Sequence, residues 1–288
     1  MMTGALLELI RWLGLLPLSW VRAIGAAFGW GLYLAVPSRR NVVQTNLRLC
    51  FPHWSEQQVR RCARQTFIYF AQAWLDRGWL WHGNPELPLK RVRLTGAVDE
   101  LSGDAPTLIF VPHFVGMDAG WVALTQQLPR NFNTIYAAQN NRTVDEWILR
   151  GRKRFGSSRP FERREGFKPV LAALKAGEPL CLLTDMNYDP KESLFVPFYG
   201  IKAATVPSLS RVARMGGAKV VAMVARITPW GYAVEISPKW ENFPTRDLVA
   251  DTALMNVRLQ EYIDCMPAQY YWVHKRFKDR PDGELPPY

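Results

Sequence analysis

Short, largely apolar runs alternating with helical stretches constrain this chain more than any other feature. Residues 107–111 read TLIFV between Pro106 and Pro112, and similar runs follow at 134–138 (TIYAA), 180–184 (LCLLT) and 219–227 (KVVAMVARI). A strand that is apolar at successive positions needs cover on both faces, and that cover comes from helices flanking a mainly parallel sheet. Helical spacing falls between the runs, near 116–128, 143–154, 166–176, 205–215 and 247–264, so the expected class is α/β. GYAVEIS at 231–237 reads as an edge strand. With 288 residues, 48% of them hydrophobic and 21% charged, the chain can bury a full core, and no linker or repeat divides the body. Cys50, Cys62, Cys181 and Cys265 lack any ligand spacing, which argues against a zinc site and a disulfide framework.

Before the α/β pattern lies a different kind of segment. Trp12 to Val36 reads WLGLLPLSWVRAIGAAFGWGLYLAV, with Arg22 its only charge. A membrane crossing needs about 20 apolar residues, so the run is long enough, although Arg22 lies within it and Pro17 lacks a backbone donor. Trp12, Trp20 and Trp30 suit the interfacial zone of a bilayer. Three readings stand: a helix that crosses, an anchor that dips into one leaflet, and a buried helical hairpin. The membrane readings set residues 1–37 apart as a hydrophobic anchor and leave 38–288 as a single catalytic domain. Arg39 and Arg40 then place the following chain on the cytoplasmic side. Helices are expected over 38–50 and 55–79, the second opened by a Ser55–Gln58 capping box.

The chemistry is sought where the first buried strand ends, because open parallel sheets bind ligands beyond the carboxyl ends of their strands. There the chain reads HFVGMD, with His113 leaving the strand and Asp118 five residues on, at the start of the next helix. A carboxylate on one imidazole nitrogen fixes the tautomer and leaves the other nitrogen to take a proton. Such a pair can deprotonate a hydroxyl attacking an activated acyl group. A G-x-S-x-G nucleophile elbow is absent, and the chemistry needs neither cofactor nor metal.

HFVGMD resembles the H-x4-D/E motif of membrane glycerolipid and lipid A acyltransferases. NLRLCFP at 46–52, GRKRFG at 151–156, DMNYDPKESLFVPFYG at 185–200 and YYWVHKRFKDRP at 270–281 complete an ordered set. That set resembles the late acyltransferases of lipid A biosynthesis, the lauroyl and myristoyl transferase family, over nearly the whole chain. The resemblance implies His113 as general base with Asp118 as its partner, and a binding or active-site role for Arg152, Arg164 and Asp185. It implies an acyl carrier protein thioester as donor, a 3-hydroxyacyl chain on a phosphorylated glycolipid as acceptor, and the cytoplasmic face of a bacterial inner membrane as location. Members commonly carry Asp-Gln-Asp where Met186 and Asn187 follow Asp185 here.

Charge agrees with anionic partners. The net charge is +11, and residues 150–168 hold eight arginines and lysines against two glutamates. Arginine forks grip phosphates and carboxylates, so the patch could serve a lipid A precursor, an acidic carrier protein, or anionic membrane lipids. His274, among Lys275, Arg276, Lys278 and Arg280 with aromatic neighbours Tyr270, Tyr271 and Trp272, reads as structural or interfacial. The nearest rival, a lysophosphatidic acid acyltransferase, usually carries a motif like F-P-E-G-T-R that is missing here. Nucleic-acid binding is disfavoured, since no recognisable module accompanies the charge.

Overall fold

The computed structural model of the protein describes residues 2–281 and 283–288. Five helices come first: α1 (Met2–Leu13), α2 (Leu18–Ala35), α3 (Pro37–Cys50), α4 (Glu56–His82) and the short α5 (Glu86–Arg91). The apolar run at 12–36 is therefore broken into two helices, with Pro17 at the start of α2, where its missing N–H costs nothing. The capping box at α4 forms as its sequence dictates: the Ser55 hydroxyl accepts from the Gln58 amide and the Gln58 side chain accepts from the Ser55 amide.

The α/β body follows as β1 (Val92–Gly96), β2 (Thr107–Phe110), α6 (Met117–Gln127), β3 (Asn133–Tyr136), α7 (Arg142–Arg152) and β4 (Arg159–Glu162). It continues with α8 (Lys168–Lys175), β5 (Leu180–Leu182), β6 (Leu194–Phe198), β7 (Ile201–Thr205), α9 (Ser208–Gly216), β8 (Lys219–Thr228), β9 (Gly231–Ile236) and α10 (Leu248–Cys265). Seven strands form one sheet in the order β1-β9-β8-β2-β5-β3-β4, parallel except for the β8–β9 pair, while β6 and β7 make a separate antiparallel hairpin. Along β2 the side chains alternate between two cores. Leu108 and Phe110 face the one built with α3, α8, α9 and α10, and Ile109 faces the one built with α6, α7 and the N-terminal helices. That double burial explains why this strand is apolar at successive positions.

The 231–237 strand does not lie at an edge. β1 pairs parallel outside it, from Val92↔Tyr232 to Gly96↔Ile236, and takes the edge instead. Of the five β1 residues only Val92 is buried, so its sequence carries little apolar signal.

The N-terminal helices lie against α4. Gly25 approaches the backbone of Gln72, and Gly29 approaches Phe67 and Ile68 so closely that a Cβ there would sit 2.5 Å from the Phe67 carbonyl oxygen. Arg22 closes this contact with an ion pair to the fully buried Asp76, 2.8 Å from Nη2 to Oδ2. Asp76 also accepts from the Trp79 indole (2.9 Å) and the Tyr232 hydroxyl (2.7 Å). Burial still pushes the Asp76 pKa up, against the pull of Arg22 and these hydrogen bonds. The outward face of α2 is nearly all apolar: Trp20, Ala23, Ile24, Ala27, Phe28, Trp30 and Leu34 are exposed. Among the described residues no helix is long and apolar enough to cross a membrane.

Candidate active site

Strands β2 and β5 are parallel neighbours with Phe110 opposite Leu182, so the chain leaves the sheet at the same level on both. His113 and Asp185 each stand three residues beyond that pair. This register brings them together: the His113 Nδ1 lies 2.7 Å from Asp185 Oδ1, and the His113 amide donates to Asp185 Oδ2 at 3.0 Å. Asp185 is fully buried. Burial raises its pKa, but the charge and hydrogen bonds of His113 outweigh that and hold it below the usual carboxylate range. An ionised Asp185 accepts from Nδ1–H, which puts the imidazole lone pair on Nε2. No described residue hydrogen-bonds that nitrogen, and the His113 side chain retains 24% of its exposure.

Asp118 is not at the imidazole, contrary to the expectation from its spacing. It sits in the first turn of α6, buried between two guanidinium groups. Arg77 of α4 donates to Oδ2 through Nε (2.9 Å) and Nη2 (2.7 Å), and Arg152 of α7 donates to Oδ1 through Nε (3.2 Å) and Nη2 (3.1 Å). Two cations with guanidinium forks, approaching from separate helices, claim both carboxylate oxygens and leave none for the ring. Burial works against ionisation of Asp118, yet Arg77 and Arg152 hold its pKa below the ordinary value. Arg77 also stacks on Trp74, 3.9 Å from the ring centroid, and its Nη1 is buried without a partner. The cluster carries one net positive charge next to the His113 pair.

Both groups reach a cavity of about 800 Å³. His113, Asp118 and Arg152 line one part of it, and Thr134, Ile135, Val170, Cys181, Leu182 and Met223 give it a mainly apolar wall. Arg163 and Arg211 also line it. Arg163 rests over the Tyr188 ring at 4.6 Å. Arg164 does not line the cavity: its side chain is 83% exposed and pairs with Glu162 at 2.7 Å. Of the five residues singled out in the sequence, His113 with Asp185 and Asp118 with Arg152 therefore form two adjoining pairs, and Arg164 stands apart.

Arg77 was absent from that set. Its signal was present, however: Asp76 and Arg77 are adjacent charges inside the aromatic run WLDRGWLW, where a charge needs a buried partner.

Comparison with known proteins yields one family. The sequence profile described as bacterial lipid A biosynthesis acyltransferase matches residues 3–279. A lipid A biosynthesis acyltransferase of Haemophilus influenzae is 30% identical over 85% of this chain and 78% of its own length. A lipid A biosynthesis lauroyltransferase of Escherichia coli is 29% identical over 95% of this chain and 93% of its own length. A lipid A biosynthesis palmitoleoyltransferase of the same organism is 30% identical over 85% and 81%.

Proposed function

The chain belongs to the bacterial lipid A biosynthesis acyltransferases and is an O-acyltransferase; from that premise we propose that it moves a fatty acyl group from an acyl carrier protein thioester to the hydroxyl of a 3-hydroxyacyl chain on a lipid A precursor. The observation that carries the reading is the 2.7 Å contact between His113 Nδ1 and Asp185 Oδ1 at the wall of the 800 Å³ cavity. His113 Nε2 takes the acceptor hydroxyl proton as the oxygen attacks the thioester carbonyl. The new C–O bond forms, the C–S bond breaks, and the imidazolium returns its proton to the departing thiolate. Asp185 holds the tautomer and stabilises the imidazolium.

On this reading Asp118 acts through Arg152. The carboxylate fixes that guanidinium at the cavity wall, and the cluster's net positive charge favours negative charge developing on the reacting carbonyl or carried by the substrate. Arg163 and Arg211 at the same cavity suit the phosphates of the acceptor. The exposed cations of the 150–168 segment suit an acidic carrier protein. The apolar wall takes the acyl chain.

We further infer that the N-terminal helices seat the enzyme in the cytoplasmic leaflet of the inner membrane without crossing it. An ordinary surface helix turns a polar face outward, whereas the outward face of α2 is apolar with Trp20 and Trp30 on it. α2 could span only by carrying its partner α4 with it, together with Arg60, Arg61, Arg64, Asp76 and Arg77.

The test is transfer in detergent from lauroyl- and myristoyl-acyl carrier protein, with products read by mass spectrometry. A sugar-bearing lipid A precursor and lysophosphatidic acid are offered separately to the wild type and His113→Ala. The expected result is acylation of the lipid A precursor alone, abolished in the variant. Transfer to lysophosphatidic acid alone would overturn the acceptor, and an active His113→Ala would overturn the base.

A further inference from the structure

The start of the loop after β5 is held from outside the loop. Asp185 and Asn187 are fastened by the carboxyl-terminal segment at 269–279, whose Tyr270 hydroxyl donates to the Asp185 carbonyl at 3.4 Å. The Asn187 amide donates to His274 Nε2 at 3.1 Å. The Asn187 side chain donates from Nδ2 to Asp279 Oδ2 at 2.6 Å, and its Oδ1 accepts from the Asp279 amide at 3.2 Å. The same segment holds the other half of the pair. Tyr271 donates its amide to the His113 carbonyl (3.0 Å), and the Val115 amide donates to the Gln269 carbonyl (3.0 Å). The segment is itself anchored, because Asn46 Nδ2 on α3 donates to the Trp272 and His274 carbonyls at 2.8 Å each.

We propose that His274 and the Asn187–Asp279 pair are positioning residues of the acyl-transfer site, holding the β5 loop so that Asp185 meets His113. The proposal rests on the reading of His113 as general base. Its chemistry follows from what each group must be. An amide pointing at His274 Nε2 requires a lone pair there, hence a neutral imidazole. Burial first, then the nearby charges of Arg276 and His113, push the His274 pKa down to about 4, so the ring remains an acceptor at neutral pH. At position 187 an amide satisfies both partners at once. An aspartate there would have no donor to offer the Asp279 carboxylate, which is why Asn rather than Asp fits this chain at that site.

None of these groups touches the cavity that holds the reacting atoms, so their effect is expected in turnover rather than in substrate binding. His274→Leu removes the acceptor while keeping an apolar bulk. His274→Gln keeps an acceptor oxygen. Asn187→Asp sets two carboxylates against each other, and adding Asp279→Asn restores one donor facing one acceptor in the reversed sense. Expected in the transfer assay is a fall in kcat of about 10- to 100-fold for His274→Leu and Asn187→Asp, with KM for both substrates within about twofold. His274→Gln and the Asn187→Asp/Asp279→Asn double variant should recover to within a fewfold of wild type. Thermal melts identify the folded variants, and kcat is compared only among those. Should His274→Leu be too unstable to assay, the aspartate single and its double decide. Wild-type kcat in either folded single, or a folded double no better than Asn187→Asp, overturns the proposal. Loss confined to KM does so too. If instead wild type and His113→Ala transfer equally, the general-base reading fails and not merely this extension of it.

Discussion

Replacing Asp185 with Asn separates the two carboxylates of the site. Asp185 meets two donors, the His113 ring at 2.7 Å and the His113 amide at 3.0 Å. An Asn has one acceptor oxygen for these two positions. If its oxygen keeps the amide, its NH2 faces Nδ1, which must then be the acceptor, and the proton moves to Nε2, where it blocks base catalysis. If its oxygen keeps Nδ1–H, the NH2 confronts the backbone N–H and the ring is displaced. On the general-base reading of His113, either outcome removes the base from its working tautomer or place. A positioned general base contributes about 10²–10⁴-fold, so kcat should fall by that factor, or about 3–5 kcal/mol of barrier at 1.36 kcal/mol per tenfold. Asp118→Asn should behave differently. It strips the single negative charge from between Arg77 and Arg152, and breaking a buried pair in this way costs about 3–5 kcal/mol of stability. At 2–4 °C per kcal/mol for a chain of this general size, the melting temperature should fall by roughly 6–20 °C. The assay is steady-state acyl transfer by mass spectrometry alongside thermal melts of both variants. A folded Asp185→Asn with turnover near wild type, beside an Asp118→Asn that melts normally but is inactive, would refute the assignment and return the relay to Asp118.

Three further outcomes are expected. The pKa values of Asp118 and Asp185 are both held below the unfolded value of about 3.9, so each contributes stability above that pH and loses it as pH falls through the folded value; acid titration by circular dichroism should show a shallower acid loss for Asp118→Asn than for wild type. A Trp20→Asp/Phe28→Asp variant should leave vesicles for the soluble fraction while still folding, and an amino-terminal tag on wild type should be reached by protease only from the side of the catalytic body; protection of the tag in sealed, body-out vesicles would mean that the helix crosses. Ile135→Trp fills part of the apolar cavity wall and should lower myristoyl relative to lauroyl transfer by about 10-fold or more, at ~1–3 kcal/mol per excluded methylene; an unchanged ratio would place the acyl chain elsewhere.

What the sequence disclosed divides along physical lines. Strands β2, β5 and β8 were legible because burial on both faces leaves an apolar run, and β3 and β9 were legible from their β-branched and aromatic residues although each is only partly buried. β1 and β4 were not, because edge strands are half polar: β4 reads RPFE, with two of its four residues charged at its ends. The β6–β7 hairpin left a weak signal, because both turn residues take positive φ, 50° at Tyr199 and 75° at Gly200, and only the glycine is a residue that such turns favour. The site was half visible. His113 follows from strand-end placement, whereas Asp185 was pointed to only by the family resemblance, although it stands just after the run at 180–184. Its partnership with His113 needed the β2–β5 register, which no local spacing reveals. Asp118 misled for the opposite reason. Nearness in sequence to His113 says little about where a first-turn helix side chain goes once guanidiniums from positions 77 and 152 compete for it.

The same long-range pairing ties the N-terminal helices to the chemistry. Asp76 and Arg77 are neighbours on α4, and helical geometry sends adjacent side chains about 100° apart. Asp76 meets Arg22 of α2 and Tyr232 of β9; Arg77 meets Asp118 of α6. Both contacts are buried, and loss of one partner from a buried pair is costly, so α4 cannot rotate or slide without breaking one of them. On the proposed seating of α2 in a leaflet, α4 would be the rigid spacer that sets the height of the Asp118–Arg152 wall above the lipid. An acceptor that keeps its acyl chains in the bilayer needs a fixed height, because its reactive hydroxyl lies a set distance from the headgroup. On that proposal, the two ion pairs on consecutive residues of one helix would supply that constraint.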